Sequence, residues 1–276
     1  MPDGPGSVPG LGMLVLRHLT GNRGYYLLVA DYLLLPAKDE AENLPWILER
    51  ARAVGLIPVV CDDGSRDGTA EIARQHGAVV LVHEENLGLA QAVRTLLSFA
   101  LAQGKPGDLF LIMDADGTMD PALFLEMHRA LRKHHAEVVI ASRFRGGGTQ
   151  GLGLLRRFFS QMARTYFTLL YPGLGVTDWT TGWRLYTYEF LKRYATAYPF
   201  LFESRGFAAQ TEILLRGASL EPKPRVAEIG AVIRYDRKSG KSKMRVFRTM
   251  KEYLILGLRL KIGSVWARGR GVKGNV

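Results

Sequence analysis

The sequence Leu-Phe-Leu-Ile-Met-Asp-Ala-Asp-Gly at residues 109–117 joins an apolar run to two closely spaced carboxylates. An apolar run of this length predicts a buried strand over residues 109–113. Because Asp114 and Asp116 follow the strand directly, both side chains could reach one hard divalent cation, and Mg²⁺ or Mn²⁺ prefers oxygen ligands. The alternative is an Asp-Gly turn before a helix that starts at Pro121, with Asp120 as its cap.

Short apolar segments alternate with helical patterns on both sides of this stretch. Strands are predicted at residues 25–35, 56–61, 78–82, 109–113 and 137–141, and helices at 40–53, 67–74, 88–102 and 121–133. This alternation predicts an α/β fold with a mainly parallel, Rossmann-like sheet flanked by helices. Ligands bind such sheets at the carboxyl ends of the strands. The polar clusters at 36–40, 62–65, 114–120 and 142–145 all follow predicted strands.

The composition is typical of a globular protein: 47% of the 276 residues are hydrophobic and 23% are charged. We expect a flexible N-terminal segment at 1–24, a single domain at 25–240 and a basic, amphipathic helical extension at 241–276. The one cysteine, Cys61, allows no intrachain disulfide and fits a reducing, cytoplasmic compartment. No apolar run approaches the ~20 residues that span a bilayer.

The net charge of +11 is unevenly distributed. Residues 234–270 contain twelve Lys or Arg and two acidic residues, and residues 140–177 contain no acidic residue. Such a basic surface suits nucleic acid, anionic lipid or phosphorylated substrates, or is simply a solvated face. No nucleic-acid-binding motif is present, so we expect no nucleic-acid partner. No Gly-x-Gly-x-x-Gly follows the first strand, which argues against a dinucleotide-dependent oxidoreductase.

A second acidic cluster reads Asp-Asp-Gly-Ser-Arg-Asp-Gly-Thr at residues 62–69. Carboxylates that follow a strand could bind a base or a ribose through hydrogen bonds. The alternative is a tight turn in which Asp67 caps the next helix, and for Asp67 itself this is the better explanation.

Six motifs occur in a characteristic order along the chain. They are Pro36-Ala37-Lys38-Asp39-Glu40-Ala41-Glu42-Asn43-Leu44, Asp62-Asp63-Gly64-Ser65, Asn86-Leu87-Gly88, Asp114-Ala115-Asp116, Ser142-Arg143-Phe144 and Thr181-Gly182-Trp183-Arg184. Together they resemble the family 2 glycosyltransferases, most closely the dolichol-phosphate mannose synthase-like branch with its polyprenyl-phosphate glucosyltransferases. The resemblance runs from about residue 33 to residue 256. It implies a GT-A fold and an inverting, Mg²⁺- or Mn²⁺-dependent transfer of mannose or glucose from GDP-mannose or UDP-glucose to a polyprenyl or dolichyl phosphate.

The resemblance also implies roles for matching residues. The donor would be held by Pro36, Glu40, Asp62, Asp63, Gly64, Asp114, Ala115 and Asp116, and by Arg237 and Lys243 of a basic loop that closes over the phosphates. Asp114 and Asp116 would bind the metal. The acceptor phosphate would be held by Arg143, Arg156 and Ser160, with Arg184 as a further candidate. The chain departs from the family pattern at Lys38-Asp39, where Tyr-Asn is frequent, and at Thr118, where a Gln often helps to hold the metal.

The helical pattern at residues 153–171 supports a lipid acceptor on physical grounds. Arg156, Ser160 and Arg164 are four residues apart and share one stripe, where a phosphate would find charge-assisted donors. The apolar residues of this segment that could follow an isoprenoid tail are Leu155, Phe158, Phe159, Met162 and Phe167. The residues of the basic extension that could dip into an anionic membrane on its cytoplasmic face are Leu254, Ile255, Leu258 and Leu260. The alternative is a core helix with a solvated basic edge.

Asp178 is expected to line the acceptor cleft, and with Asp114, Asp116 and Arg143 it completes the candidate catalytic residues. A hydroxyl acceptor would need a carboxylate as general base, whereas a phosphate monoester is already an anion at pH 7. With a phosphate acceptor, Asp178 would only position Arg184 or the donor sugar. Glu203 and Glu212 are further carboxylates to consider, although Glu212 could simply pair with Arg216. A soluble enzyme with a small phosphorylated or hydroxyl acceptor is the alternative function.

Overall fold

Strands and helices alternate along most of the chain. A computed structural model describes the backbone of residues 15–18, 26–238 and 246–269 and the side chains of 29–238 and 246–262. The strands are β1 (Val15–His18), β2 (Tyr26–Val29), β3 (Asp31–Ala37), β4 (Ile57–Asp63), β5 (Val79–His83), β6 (Leu109–Ile112), β7 (Val138–Ser142), β8 (Gly148–Gln150), β9 (Arg184–Thr187), β10 (Val226–Gly230) and β11 (Val232–Arg234). The helices are α1 (Leu44–Ala53), α2 (Thr69–Gln75), α3 (Leu89–Gln103), α4 (Phe124–Lys133), α5 (Leu154–Leu170), α6 (Tyr188–Ala197), α7 (Ala208–Gly217) and α8 (Val246–Gly269).

The central sheet has seven strands in the order β10-β7-β9-β6-β3-β4-β5. β9 is antiparallel to its neighbours β6 and β7, and the other pairs are parallel. The mainly parallel α/β sheet predicted from the sequence is therefore confirmed. The sequence does not predict β9, because this strand of four residues pairs only with segments distant in the chain. Being antiparallel, β9 starts where the parallel strands end, and it brings residues 178–184 to that edge.

Helices cover both faces of the sheet and enclose two apolar layers. One layer is formed against α3, α6 and α7, and the other against α1, α2 and α4. Phe167 of α5 and Leu256 of α8 belong to the first layer, 0% and 2% exposed. The basic C-terminal helix is therefore packed onto the same domain through its buried residues. None of the helices in the described part of the chain is long and apolar enough to cross a bilayer.

Most predicted element boundaries hold to within a few residues, with three informative differences. The strand predicted at residues 25–35 is divided into β2, which pairs with β1, and β3, which belongs to the central sheet. Helix α1 begins at Leu44 rather than residue 40, and the Asn43 side chain donates to Glu40 Oε2 (2.8 Å) instead of capping the helix. Within the segment expected to be flexible (1–24), residues 15–18 form β1, which pairs antiparallel with β2. The N-cap of α2 is Gly68 rather than Asp67, which corrects the predicted cap by one position. The Asp67 side chain still accepts the Thr69 N–H (3.0 Å) at the start of the helix. The boundary expected at residues 240–241 lies outside the described residues.

Candidate active site

A cavity of about 480 Å³ opens at the carboxyl edge of the sheet. It brings together nine of the predicted site residues, namely Pro36, Glu40, Asp63, Asp114, Ala115, Asp116, Arg143, Arg156 and Ser160. Asp62, Gly64, Asp178, Arg184 and Arg237 do not line it. Lys243 lies outside the described residues.

The two aspartates after β6 both face this cavity. Gly117 has a φ of 74°, a left-handed conformation that favours glycine, so the chain turns directly after Asp116. Asp116 Oδ1 accepts the Thr118 hydroxyl (2.6 Å) and its N–H (3.2 Å), and Asp116 Oδ2 accepts the Lys238 ammonium. Thr118 therefore orients the Asp116 carboxylate.

The electrostatics of Asp114 suit a cation. Burial raises the pKa of Asp114 to about 7, and the nearby carboxylates of Asp116 and Glu40 add to the rise. Within the described residues, no group of three or more His, Cys, Asp or Glu side chains could hold a metal alone. Mg²⁺ in proteins is commonly held by one or two carboxylates together with substrate phosphates and water. Asp114 and Asp116 therefore fit a metal that is completed by a phosphorylated ligand.

Another part of the cavity lining is built around Asp63. Its Oδ1 accepts the Leu87 N–H (2.9 Å) and contacts His83 Nδ1 (2.8 Å), and its Oδ2 accepts the Gly88 N–H (2.8 Å). These bonds fix the loop between β5 and α3 against the end of β4. Asp63 keeps acceptor capacity toward the cavity, because an ionised carboxylate has about four lone-pair sites.

Asp62 and Gly64 shape this wall and do not line it, which corrects their predicted contact with the donor. The Asp62 side chain is turned back to accept the Ser65 N–H (2.9 Å), and the residue is 4% exposed. Gly64 has a φ of 68°, and a Cβ there would lie 2.5 Å from the carbonyl carbon of Glu85. Both residues keep the turn after β4 tight enough for the neighbouring loop to pack.

Arg143 and Asp178 form a buried ion pair next to the cavity. Asp178 Oδ2 accepts Arg143 Nε (2.8 Å) and the Arg143 N–H (2.9 Å), and Oδ1 accepts Arg143 Nη2 (2.6 Å). Burial alone would raise the pKa of Asp178, but the Arg143 charge outweighs it and lowers this pKa. Asp178 is 0% exposed and its oxygens are occupied. It thus positions Arg143 through direct hydrogen bonds. The Arg184 charge also helps to lower the pKa of Asp178, but the Arg184 guanidinium donates to main-chain carbonyls instead.

Arg184 is not an acceptor-phosphate residue in this fold, which corrects its predicted role. Its side chain is 0% exposed, and its guanidinium donates to the main-chain carbonyls of Gln210 and Trp179. These bonds tie the start of β9 to α7 and to the 178–183 loop. Arg143, the other arginine predicted from its motif to bind the acceptor phosphate, does face the cavity.

Helix α5 lines one side of the cavity with Arg156 and Ser160. The Ser160 hydroxyl is buried, and no described residue bonds to it. A buried polar group without a partner is costly, so a ligand oxygen would be favoured at this hydroxyl. Arg164, the third residue of the predicted stripe, does not line the cavity, and its guanidinium lies 4.9 Å from the centroid of the Phe144 ring.

The basic loop after β11 contributes one residue that the sequence analysis does not single out. Lys238 lines the cavity and reaches Asp116. Arg237, which was predicted to close over the donor, instead has its guanidinium 5.5 Å from the centroid of the Trp46 ring. The only sequence signal for Lys238 is its position beside Arg237 in a basic run.

Helices α5 and α8 carry an unusual share of exposed apolar side chains. Of the fifteen large hydrophobic residues exposed in the described chain, ten lie on these two helices. They are Leu154, Leu155, Phe158, Met162 and Leu169 on α5 and Phe247, Leu254, Ile255, Leu258 and Ile262 on α8. Phe159, at the cavity wall, meets Phe247 with ring centroids 5.4 Å apart. Phe167 and Leu260 differ from the prediction, because Phe167 is fully buried and Leu260 is half-buried.

The Glu212 carboxylate is bonded to protein groups, in agreement with the alternative that it pairs with Arg216. It pairs with Arg216 (2.6 Å) and accepts the Ser204 N–H (2.8 Å). Burial alone would raise the pKa of Glu212, but these donors lower it. Neither Glu212 nor Glu203 lines the cavity.

Comparison with known proteins gives consistent matches. Residues 32–210 match the profile of the family described as Glycosyl transferase family 2. The chain is 30% identical over 220 residues to an undecaprenyl-phosphate mannosyltransferase of Micrococcus luteus, covering 76% of this chain and 86% of that protein. It is 31% identical over 195 residues to a polyprenol monophosphomannose synthase of Mycolicibacterium smegmatis, covering 67% and 70% respectively. A structure of glucosyl-3-phosphoglycerate synthase from Mycobacterium tuberculosis, with Mn²⁺, UDP-glucose and phosphoglyceric acid, has a similar fold, with a TM-score of 0.63 at 19% identity over 84% of this chain and 79% of that one.

Proposed function

The chain belongs to glycosyltransferase family 2, and we propose that it transfers a mannosyl or glucosyl unit from a nucleoside diphosphate sugar to a polyprenyl phosphate. The single observation that carries this proposal is the composition of the cavity. Its lining combines the carboxylates of Asp114 and Asp116 with the donors of Arg143, Arg156 and Ser160, and the exposed apolar helices α5 and α8 adjoin it.

The donor would lie against the carboxylates. Pro36, Glu40 and Asp63 would hold the nucleoside, and its diphosphate would lie toward Asp114 and Asp116. A divalent cation, Mg²⁺ or Mn²⁺, held by these two aspartates would offset the charge on the departing diphosphate. The Mn²⁺ and UDP-glucose bound by the structurally similar synthase support this choice of ligands.

The acceptor phosphate would bind between Arg143, Arg156 and the Ser160 hydroxyl. Its oxygen attacks the anomeric carbon in line, the bond from that carbon to the diphosphate oxygen breaks, and the sugar inverts its configuration. A phosphate monoester is anionic at neutral pH, so no general base is required. Both oxygens of Asp178 are already bonded to Arg143, so this carboxylate is not placed to act as a general base, which agrees with such a reaction. Catalysis would rest on positioning and on charges fixed in advance.

A lipid tail would leave the cavity along α5 and α8. The relatives from Micrococcus luteus and Mycolicibacterium smegmatis carry names that specify a polyprenyl acceptor, which supports this choice. Clusters of exposed hydrophobic residues with basic neighbours are typical of surfaces that bind the membrane interface. We therefore propose peripheral binding to an anionic membrane, on its cytoplasmic face.

The test combines donor screening with an acceptor assay. GDP-mannose, UDP-glucose and UDP-GlcNAc are each added with Mn²⁺, and the one that raises the melting temperature is then used for transfer. We expect sugar transfer to a polyprenyl phosphate in detergent or liposomes, and none to soluble phosphorylated acceptors. Efficient transfer to a small phosphorylated or hydroxyl acceptor without detergent would favour the alternative, a soluble family 2 enzyme.

A further inference from the structure

Lys238 forms an ion pair with Asp116 inside the cavity. The two side chains are 20% and 11% exposed, and the ammonium donates to Asp116 Oδ2. The residues are 122 positions apart, so this contact joins the loop after β11 to the end of β6. The positive charge of Lys238 also acts on Asp114 and Glu40.

The other lysine in the cavity is held differently. Lys38 Nζ donates to the Gly64 carbonyl (2.7 Å) and pairs with Asp39 (3.0 Å), on the β3 and β4 side. Lys238, by contrast, is paired with the candidate metal ligand Asp116.

The Asp116 carboxylate has one fixed oxygen and one exchangeable oxygen. Oδ1 is held by the hydroxyl and the N–H of Thr118 in the same turn. Oδ2 is held by a lysine, whose ammonium is a flexible point charge at the end of a four-carbon stem. A change of partner at Oδ2 would therefore leave the orientation of the carboxylate unchanged.

From this arrangement we propose that Lys238 is a built-in counterion that competes with the divalent cation for Asp116 and moves to the donor diphosphate when that cation binds. The proposal rests on the proposed function, because it assumes the metal and diphosphate sites. Two cations at one carboxylate oxygen repel each other, so Lys238 opposes metal binding to the free protein. A diphosphate offers the displaced ammonium a new anionic partner.

The consequence is a positive coupling between metal and donor. The metal displaces Lys238 from Asp116, and the donor diphosphate gives the displaced ammonium a new partner, so each ligand raises the affinity for the other. The coupling free energy must be the same in both directions. The free protein would bind Mn²⁺ weakly, and the protein with a bound nucleoside diphosphate would bind it more tightly. Lys238 is then a positioning residue for the donor, and it also disfavours metal binding to the protein that has no donor bound.

The test measures Mn²⁺ binding by calorimetry, with and without UDP or GDP, for the wild-type protein, Lys238→Met and the matched control Lys38→Met. We expect Lys238→Met to bind Mn²⁺ alone about fivefold or more tightly than the wild type. In the same variant, the gain in Mn²⁺ affinity on adding the nucleoside diphosphate should shrink about tenfold. Lys38→Met should leave the affinity for Mn²⁺ alone unchanged, and Lys238→Gln should repeat the result if Lys238→Met is poorly folded.

Two outcomes overturn the proposal and are distinguishable. If Lys238→Met binds Mn²⁺ alone no more tightly than the wild type, Lys238 does not compete for Asp116, and the metal site itself stands. If none of the proteins binds Mn²⁺, with or without a nucleoside diphosphate, the metal requirement of the proposed function fails and this inference falls with it.

Discussion

Asp178 holds Arg143 through two side-chain hydrogen bonds, with Nε–Oδ2 and Nη2–Oδ1 distances of 2.8 and 2.6 Å. Arg143 faces the cavity and Asp178 lies behind it. Burial alone would lower the pKa of Arg143, but Asp178 outweighs it and raises this pKa. The guanidinium is therefore a fixed, permanent charge at the proposed acceptor site, with its orientation set from behind.

Replacing Asp178 with Asn should destabilise the protein and weaken the acceptor site. Asn offers one acceptor oxygen in place of two, so it cannot reproduce the Nε–Oδ2 and Nη2–Oδ1 pair. The buried Arg143 charge is left without an anionic partner, which costs about 3–5 kcal/mol of unfolding free energy. Urea unfolding measures this loss. The KM for polyprenyl phosphate should rise while the affinity for the donor stays unchanged. The control Asp236→Asn, which breaks an exposed pair with Arg234, should leave both properties unaltered.

The stability difference between the wild type and Asp178→Asn should depend on pH. The pKa of Asp178 is lower in the folded protein than its ordinary value of about 3.9. Stabilisation by this carboxylate is then complete above that ordinary value, and it is lost as the pH falls through the folded pKa. Urea unfolding of both proteins between pH 7 and pH 3 should show a constant gap that narrows only below about pH 4. A gap that already narrows between pH 7 and pH 5 would contradict this assignment.

Replacing Asp116 with Ala should abolish transfer and leave the fold intact. The substitution removes one of two protein oxygens proposed to bind the metal, and fixed charges at a reacting diphosphate contribute about 10²–10³-fold or more to turnover. Turnover and Mn²⁺ binding by calorimetry should both be lost, while circular dichroism stays unchanged. Normal turnover by Asp116→Ala would remove the metal role altogether.

Residues on α5 can be tested against a neighbour on the same helix. Ser160→Ala and Arg156→Ala each remove one donor at the proposed acceptor phosphate, and a bond to a charged group is worth enough to raise the acceptor KM about tenfold. The donor KM should not change. The control is Arg157→Ala, because Arg157 lies outside the cavity, is exposed and donates to the Thr149 carbonyl (3.3 Å). Equal effects of Arg156→Ala and Arg157→Ala would contradict a phosphate site at Arg156.

Sequence reasoning succeeds where the site follows from strand order. The clusters after β3, β4, β6 and β7 meet because parallel strands end at one edge, so Glu40, Asp63, Asp114 and Arg143 could be grouped in advance. Contacts between distant segments leave no such local pattern. The pairing of Asp116 with Lys238 spans 122 positions, and that of Arg143 with Asp178 spans 35.

The sequence also cannot tell which of two similar arginines faces a ligand. Arg143 and Arg184 both lie in polar motifs at strand ends. Arg184 opens the antiparallel strand β9, where it pairs with Ile112 and Ile140 in the middle of the sheet and turns into the core. Since β9 is short and depends on distant partners, its register and the direction of Arg184 emerge only from the folded structure.

The exposed apolar face of α5 and α8 should decide membrane binding. Phe158→Glu and Leu258→Glu each replace an exposed apolar side chain, 60% and 51% exposed, with an anion. Burial of such a side chain in lipid is worth about 1.5–3 kcal/mol, so each variant should bind anionic vesicles at least about tenfold more weakly in a sedimentation assay. Leu125→Glu, on α4 at the opposite face of the sheet and 49% exposed, is the matched control and should bind like the wild type. Equal vesicle binding by all four proteins would contradict the membrane role of this face.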